Sequence, residues 1–448
     1  MKTYLDWSEY TDAGMGDAYA DIPKTGGDFA KAVAVCINSR QCETEAKGVM
    51  CPSFRISQDP SLSTGARVRL LKEALNGNLG RAGISEPNLI QAMDLCVSCK
   101  GCKRECENNV DMARIKIEYL AQLNAQTGLS LRARLFAGLP GFAATSAWFR
   151  RLTAWRNRHR LLAQLAERLL GISAQVKLPE VVSEPIAVSD WVVEDRQVIL
   201  FVDTFSRHYS PQIAHAAIEV LEVAGYQVRL AVPEDEAANE RPLCCGRTYL
   251  AQGMVDQARE EARRVIDALL PYAEAGLPIV GLEPSCLLTL RDEYAALGLG
   301  EAANLVAKQA LLFEEFLARE MTAGRFDLPM QPATDSVTRV LVHGHCHQKA
   351  VGAMKSMRKV LKRIPGLSFE MIDASCCGMA GSFGIEAEHV DYAREMANQA
   401  LVPALQAEPA AGVVANGFSC RQQISHTAER DSMHLAQLLQ SRLAVRAC

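Results

Sequence analysis

The sequence predicts an α/β chain in which a small helical, cysteine-bearing region precedes two pseudo-symmetric units of parallel sheet and helices. Three observations carry this. From Gln197 onward, short apolar runs alternate with helical stretches, as in parallel sheets crossed by helices. Three landmarks recur in the same order in two successive segments. The cysteines, 15 in all, gather at short spacings, and only Cys448 stands alone.

A chain of 448 residues, 49% hydrophobic, is material for two to four domains at roughly 150 residues each. Its 48 basic residues are outnumbered by 52 acidic ones, so no nucleic-acid partner is expected. The uncharged run Leu135–Phe149 is interrupted by Gly138, Pro140 and Gly141 and is too short to span a bilayer. Met1–Asp6 lacks the apolar core of a signal peptide. A cytoplasmic protein is expected, and with it reduced thiols. Grouped cysteines then read as ligands for soft metals, not as a disulfide framework.

Residues 1–28, rich in glycine and aspartate, read as a loose lead-in. Residues 29–128 carry seven cysteines and two clear helices, Ala66–Leu75 and Asp111–Leu123. Residues 129–190 are a connector in which eight arginines (132, 134, 150, 151, 156, 158, 160 and 168) face one acid, Glu167. They are interleaved with Phe136, Phe142, Trp148, Phe149 and Trp155. This pattern fits a solvated helical connector, a docking surface for an acidic partner, or a patch on an anionic membrane, and composition does not choose. Lys177–Arg196, with Pro179 and Pro185, reads as a linker.

The first α/β unit, 191–334, is expected to run strand Val198–Val202, helix Pro211–Ala224, strand Gln227–Val232, helix Val255–Ala273 and strand Pro278–Leu282. The second, 335–448, repeats this with strand Val340–Val342, helix Lys349–Lys362, strand Leu367–Ile372, helix Ala387–Leu401, strand Gly412–Ala415 and a closing helix. The landmarks mark a duplication. Residues 340–346 match 200–206, Cys376-Cys377-Gly378 matches Cys244-Cys245-Gly246, and the run ending in Cys420 matches the run ending in Cys286. From cysteine pair to last cysteine the intervals are 43 and 41 residues.

The cysteine spacings carry the chemistry. Cys96-Val-Ser-Cys99-Lys-Gly-Cys102-Lys-Arg-Glu-Cys106 has the spacing of a bacterial ferredoxin, although Glu107 stands where proline is usual. There, three thiolates on one tight loop take three corners of a cubane and the fourth cysteine reaches the neighbouring cluster. On the same template Cys36 and Cys42 are first and third, Ser39 replaces the second, and Cys51-Pro52 is fourth. Cross-ligation therefore assigns Cys51, Cys96, Cys99 and Cys102 to one [4Fe–4S] cluster. Cys36, Cys42 and Cys106 remain for a second site, with ligands for a [3Fe–4S] cluster, for a [4Fe–4S] cluster with a non-thiolate fourth ligand, or for nothing. Zinc, usually held by two C-x₂-C pairs well apart, is the alternative.

In the second α/β unit Cys346, Cys376, Cys377 and Cys420 each follow an expected strand, where parallel sheets build their sites. An adjacent cysteine pair suits a multinuclear cluster better than a single ion, with zinc as the alternative. Gly378 supplies the backbone freedom of the turn. The first unit retains Cys244, Cys245 and Cys286, with Ser206 in the place of Cys346, and reads either as a working site or as a degenerate copy. His343, His345 and His347 are donors to ligands, proton carriers or helix caps.

These motifs, together with Gly-Leu-Glu-Pro-Ser-Cys at 281–286 and His-Gly-His-Cys-His-Gln-Lys at 343–349, resemble the iron–sulfur portion of FAD-linked D-2-hydroxyacid dehydrogenases. The likeness is to the C-terminal half of fused enzymes acting on D-2-hydroxyglutarate or D-lactate. More distantly, the chain is similar to the iron–sulfur subunits of glycolate oxidase and anaerobic glycerol-3-phosphate dehydrogenase. The resemblance implies a ferredoxin-like domain that carries electrons, followed by Cys-Cys-Gly domains that bind a further cluster or a metal. No Gly-rich FAD segment precedes residue 29. FAD is therefore expected on a partner chain, an oxidase or dehydrogenase subunit, with a quinone, a cytochrome or an electron-transfer flavoprotein as acceptor. The protein would be cytoplasmic or peripheral at the inner face of the membrane. A heterodisulfide-reductase-like thiol/disulfide oxidoreductase is the alternative, which the incomplete first copy disfavours.

Overall fold

A computed structural model describes residues 2–14, 21–44, 48–145, 147–182, 184, 186–188, 196–233, 241–332 and 338–444. Pro185 of the expected linker, Cys448 and the expected boundaries at 190–191 and 334–335 lie outside these residues. The architecture is the expected one, a helical cysteine-bearing region followed by two parallel α/β units.

The helical region is built from Gly27–Ala34, Pro52–Ser57, Thr64–Asn76, Pro87–Asp94, Gly101–Glu105 and Met112–Thr127. Local chemistry sets the ends. Ser63 Oγ accepts from Ala66 N at 3.0 Å to start the third helix, and Asp111 Oδ1 accepts from Arg114 N to start the last. The stretch read as a loose lead-in is packed where it is described, with Leu5 and Trp7 buried. The reason is Glu118, a buried carboxylate that must find donors. It accepts from Tyr4 N, Leu5 N and the Trp7 indole, and the Arg114 guanidinium lies 4.4 Å from the Trp7 ring.

The connector forms the helices Leu131–Ala137, Leu139–Thr145, Ala147–Arg158 and Arg160–Leu170. Two of its arginines fasten it to the body. Arg156 is buried and donates to the carbonyls of Ser173 and Val176, while Arg132 pairs with Glu388 of the second unit.

The first sheet has the order β2-β1-β3-β4, with β1 Gln197–Phe201, β2 Gln227–Leu230, β3 Ile279–Gly281 and β4 Ala310–Leu312. The second has β6-β5-β7, with β5 Arg339–Val342, β6 Ser368–Met371 and β7 Gly412–Val414. All pairs are parallel. Strand β4 has three residues, too few to show a period in sequence. Its counterpart is a single parallel bridge, Val414 to Met433. The helix expected at Lys349–Lys362 is broken by Gly352 at φ +76° into Cys346–Ala350 and Met354–Leu361. That expected at Ala387–Leu401 becomes Val390–Asn398 followed by Leu401–Ala407.

The units exchange their closing helices. Phe313–Thr322 of the first packs on Met354–Leu361 of the second, and Leu435–Gln440 of the second packs on Pro211–Val223 of the first. Val198, Leu200, Phe316, Val340, Leu361 and Leu438 consequently share one core. A second core joins the first unit to the helical region, through residues such as Leu71, Met112, Ile199 and Leu290. Shared apolar cores of this kind make one rigid scaffold.

Candidate metal centres

In the helical region the loop after Pro87–Asp94 is tightened by left-handed backbone at Ser98 (φ +48°) and Lys100 (φ +61°). Cys51, itself left-handed at φ +54°, sits opposite at the start of Pro52–Ser57. Cys51, Cys96, Cys99 and Cys102 line one cavity with Thr64, Arg67 and Met112. Two cations lie at it, Arg67 buried in its lining and Lys116 half-buried beside Cys96. Arg67 is 1% exposed and donates to Ala92 O at 2.5 Å, Ser53 Oγ at 2.8 Å and Cys51 Sγ at 3.7 Å. Burial opposes its charge, but the thiolates of Cys96, Cys51 and Cys102 lift its pKa above the ordinary value. Lys116 Nζ donates to Cys96 O at 2.6 Å. Four soft donors around a dry, cation-lined cavity fit a thiolate-bound iron–sulfur cluster, which is anionic.

Cys36, Cys42 and Cys106 come together nearer the surface. Burial pushes the Cys36 and Cys42 thiols up, with Cys106 beside Cys36 and Cys36 beside Cys42. Cys42 Sγ accepts from Gly65 N at 3.3 Å. Ser39 is exposed on its loop.

In the second unit Cys346, Cys376/Cys377 and Cys420 follow β5, β6 and β7, so adjacent strands deliver them to one end of the sheet. Cys376 accepts from the Cys346 and Cys377 thiols and from Gly378 N at 3.3 Å, which pulls its pKa well below the ordinary thiol value against burial. Gly378 is at φ +92°, and a Cβ there would lie 2.1 Å from Ala393 O. Lys349 Nζ reaches the Ala374 and Ser375 carbonyls. Burial pulls its pKa down against the pull of all four thiolates.

The three histidines divide their roles. His345 caps the helix Cys346–Ala350, its Nδ1 accepting from His347 N at 3.1 Å. His347 Nε2 lies 3.0 Å from Ser98 O. Neither ring nitrogen of His343 has a partner among the described residues, and its ring nitrogen lies within 4.8 Å of the Cys377 and Cys420 sulfurs. Burial keeps all three neutral, His345 falling to about 4. The neutral form suits ligation or capping.

The first unit corrects the sequence match. Strand β1 starts at Gln197 and β5 at Arg339, and Leu200 pairs with Val280 as Val342 pairs with Val414. Asp203 caps its helix as His345 does. The counterpart of Cys346 is therefore Thr204, not Ser206, and the match of 340–346 with 200–206 is shifted by two residues. A two-residue slip leaves every side chain on the same sheet face, so the apolar runs align equally well either way. Cys244, Cys245 and Cys286 are free, buried together and linked by thiol hydrogen bonds, Cys244 to Cys245 and Cys245 to Cys286. Where the second unit has His345 and Gly417, the first has Asp203 and Glu283. Burial pushes both carboxyls up, Asp203 to about 6, and Asp203 Oδ2 has no partner among the described residues.

The centres adjoin. The helix Gly101–Glu105 packs on Cys346–Ala350, the thiolates of Cys99, Cys346 and Cys376 feel one another, and His347 bridges to Ser98 O. Lys100 binds Asp292 at 2.7 Å and Glu293 at 2.8 Å in the first unit. Sequence reasoning missed Arg67, Lys116, Lys349 and the two carboxylates. Lys349, inside a cysteine–histidine motif, and Glu283, three residues before Cys286, carried a local signal.

Residues 35–111 match the 4Fe-4S dicluster domain, and residues 203–291 and 340–425 each match the Cysteine-rich domain. The chain carries both domain types, the second twice. It is 25% identical over 450 residues to the D-2-hydroxyglutarate dehydrogenase of Escherichia coli (strain K12), covering 88% of this chain and 42% of that protein. To one subunit of the same organism's anaerobic glycerol-3-phosphate dehydrogenase it is 28% identical over 253 residues, 55% of this chain and 59% of the relative. To its glycolate oxidase iron-sulfur subunit it is 22% identical over 411 residues, 88% of this chain and 91% of the relative. The chain thus spans less than half the length of the D-2-hydroxyglutarate dehydrogenase it matches. These relatives, dehydrogenases and an oxidase, place it among oxidoreductases.

Proposed function

We propose that this chain, a 4Fe-4S dicluster domain joined to two cysteine-rich domains, is the iron–sulfur electron-transfer subunit of a flavin-dependent 2-hydroxyacid dehydrogenase. The observation that carries this is the adjacency of two thiol-lined centres, Cys99 beside Cys346 and Cys376, with His347 spanning to Ser98 O at 3.0 Å. A relay needs its stations close and shielded from water, and six of the eight cysteines at these two centres are buried, with Cys96 and Cys346 half-buried. The names of the relatives support a substrate of the D-2-hydroxyglutarate, D-lactate or glycolate type.

Cys51, Cys96, Cys99 and Cys102 are the ligands we assign to a [4Fe–4S] cluster. Cys346, Cys376, Cys377 and Cys420 are assigned to a further cluster, and Cys36, Cys42 and Cys106 to the second dicluster position. Such clusters supply one-electron transfer, so removing a hydride from a hydroxyacid calls for FAD on a partner chain to divide the electron pair. The protein's own residues prepare the path. Arg67 and Lys116 offset negative charge at the first centre and Lys349 at the second, while burial keeps water from the thiolates. The acceptor is a quinone, a cytochrome or an electron-transfer flavoprotein, and the protein acts in the cytoplasm or at the inner membrane face.

The test uses anaerobically prepared chain. Alone, it is expected to show iron–sulfur absorption and no oxidation of D-2-hydroxyglutarate, D-lactate or glycolate with an artificial dye. With the partner flavoprotein and its substrate, the absorption should bleach. Turnover by the chain without a flavoprotein would overturn the reading.

A further inference from the structure

Seven of the twelve large hydrophobic side chains exposed among the described residues lie on the connector's helices. On the helix Ala147–Arg158, Trp148, Leu152 and Trp155 recur at helical spacing and are 61%, 50% and 54% exposed. On the adjoining helix Arg160–Leu170, Leu161, Leu165 and Leu169 recur every four residues and are 79%, 50% and 73% exposed. Both stripes run along one face of their helix.

The charge carried by these helices is predominantly basic. Arg132 and Arg156 are turned inward as anchors, whereas Arg134, Arg151, Arg158, Arg160 and Arg168 are exposed. The helices' single acid, Glu167, is occupied, accepting from Ala174 N at 2.6 Å. The outward face therefore joins aliphatic rows, indole rings and uncompensated guanidinium groups, within a chain whose net charge is −4. A partner covering it must offer an apolar layer bordered by anions.

We propose that this helix pair docks the protein on the surface of an anionic bilayer. The leucines would enter the acyl boundary, the indoles would sit at headgroup depth, and the arginines would reach lipid phosphates. A protein partner would need both an apolar groove and an acidic border to match this face, whereas an anionic bilayer supplies the apolar layer and the anions together. No helix among the described residues is long and apolar enough to cross a membrane, so the association would be peripheral. The anchors Arg132 and Arg156 would hold the body at a fixed attitude to the membrane. The proposal does not depend on which substrate or acceptor the redox centres serve.

Full-length, cluster-loaded chain would be sedimented with vesicles of phosphatidylcholine alone and of phosphatidylcholine with phosphatidylglycerol. Tenfold or more tighter partitioning onto the anionic vesicles is expected, weakening as salt is added. The variant Leu161→Ser/Leu165→Ser/Leu169→Ser should lose tenfold or more at all salt concentrations. Arg151→Gln/Arg158→Gln/Arg168→Gln should lose the lipid preference, and unchanged iron content would show that both variants fold. Two outcomes would overturn the proposal. One is no binding to anionic vesicles at low ionic strength. The other is a leucine variant that keeps vesicle binding while losing association with a flavoprotein, which would make the face a protein interface.

Discussion

The two α/β units share strand order, a left-handed glycine after the cysteine pair and a buried cysteine on the helix after the third strand. Their pockets nevertheless carry opposite electrostatics. In the second, Cys346 follows His345, whose ring faces Gly417, where a Cβ would lie 2.4 Å from it and 3.2 Å from Cys420 Sγ. In the first, the same places hold Thr204, Asp203 and Glu283. Two buried carboxyls already pushed up by burial make a poor neighbourhood for an anionic cluster. Strands, glycines and apolar rows are kept between the two units, whereas the residues at these three positions differ in polarity and charge.

The largest effect should come from the cysteine pairs. Cys377→Ala is expected to remove all iron and acid-labile sulfide owed to the second unit, while Cys245→Ala leaves the total per chain unchanged. Equal losses would erase the distinction between the units. A sharper version rebuilds the first pocket. Thr204→Cys alone should add no iron, because the carboxylates remain, but Asp203→His/Thr204→Cys/Glu283→Gly should add it. Gain by the single variant would show that ligand count, not charge, is limiting.

A smaller effect is expected from the cations. Lys349→Met removes a buried charge beside four thiolates. At an effective dielectric near 20 this is worth on the order of 2 kcal/mol, lowering a one-electron potential by about 90 mV. Arg207, on the helix Thr204–His208, faces the Asp203 carboxyl in the first unit, and Arg207→Met should leave every potential in place, as read by redox titration with electron paramagnetic resonance.

The smallest effect concerns how each unit grips the helical region. His389 joins Asp94 at 2.8 Å to Glu386 at 2.9 Å, with Arg132 and Glu388 nearby. Burial opposes its charge, but the two carboxylates raise its pKa to about 9. Because the proton is held more tightly in the folded state, this contribution is full below about pH 6.5 and fades as pH rises through about 9. The first unit's grip behaves oppositely. Burial opposes the Asp292 charge, but Lys100 and Lys103 hold its carboxyl well below the usual range, so that contribution fades only in acid. Between pH 7 and 10, wild type should lose about 2–4 °C of Tm more than His389→Gln. Parallel Tm curves would remove the alkaline half of the contrast.

Local features were readable in the sequence. The spacing of Cys96, Cys99 and Cys102 is a property of one loop, and the grouping of these with Cys51 follows from the ferredoxin template. The strands from Val198 and Val340 show as apolar runs because parallel strands are buried on both faces. The two-residue shift between the units was not readable, since it moves no side chain to the other face. Nor were Arg67 and Lys116, whose spacing carries no metal-site pattern.

What the amino-acid order determined by itself was the grouping of the cysteines, the duplication and the fold class, because spacing and periodicity are written within a few turns of chain. Tertiary structure alone decided which centres adjoin, which charges surround each pocket and how the units exchange their closing helices. Those outcomes rest on contacts between residues such as Ser98 and His347, far apart in the chain, whose meeting depends on the packing of the cores between them.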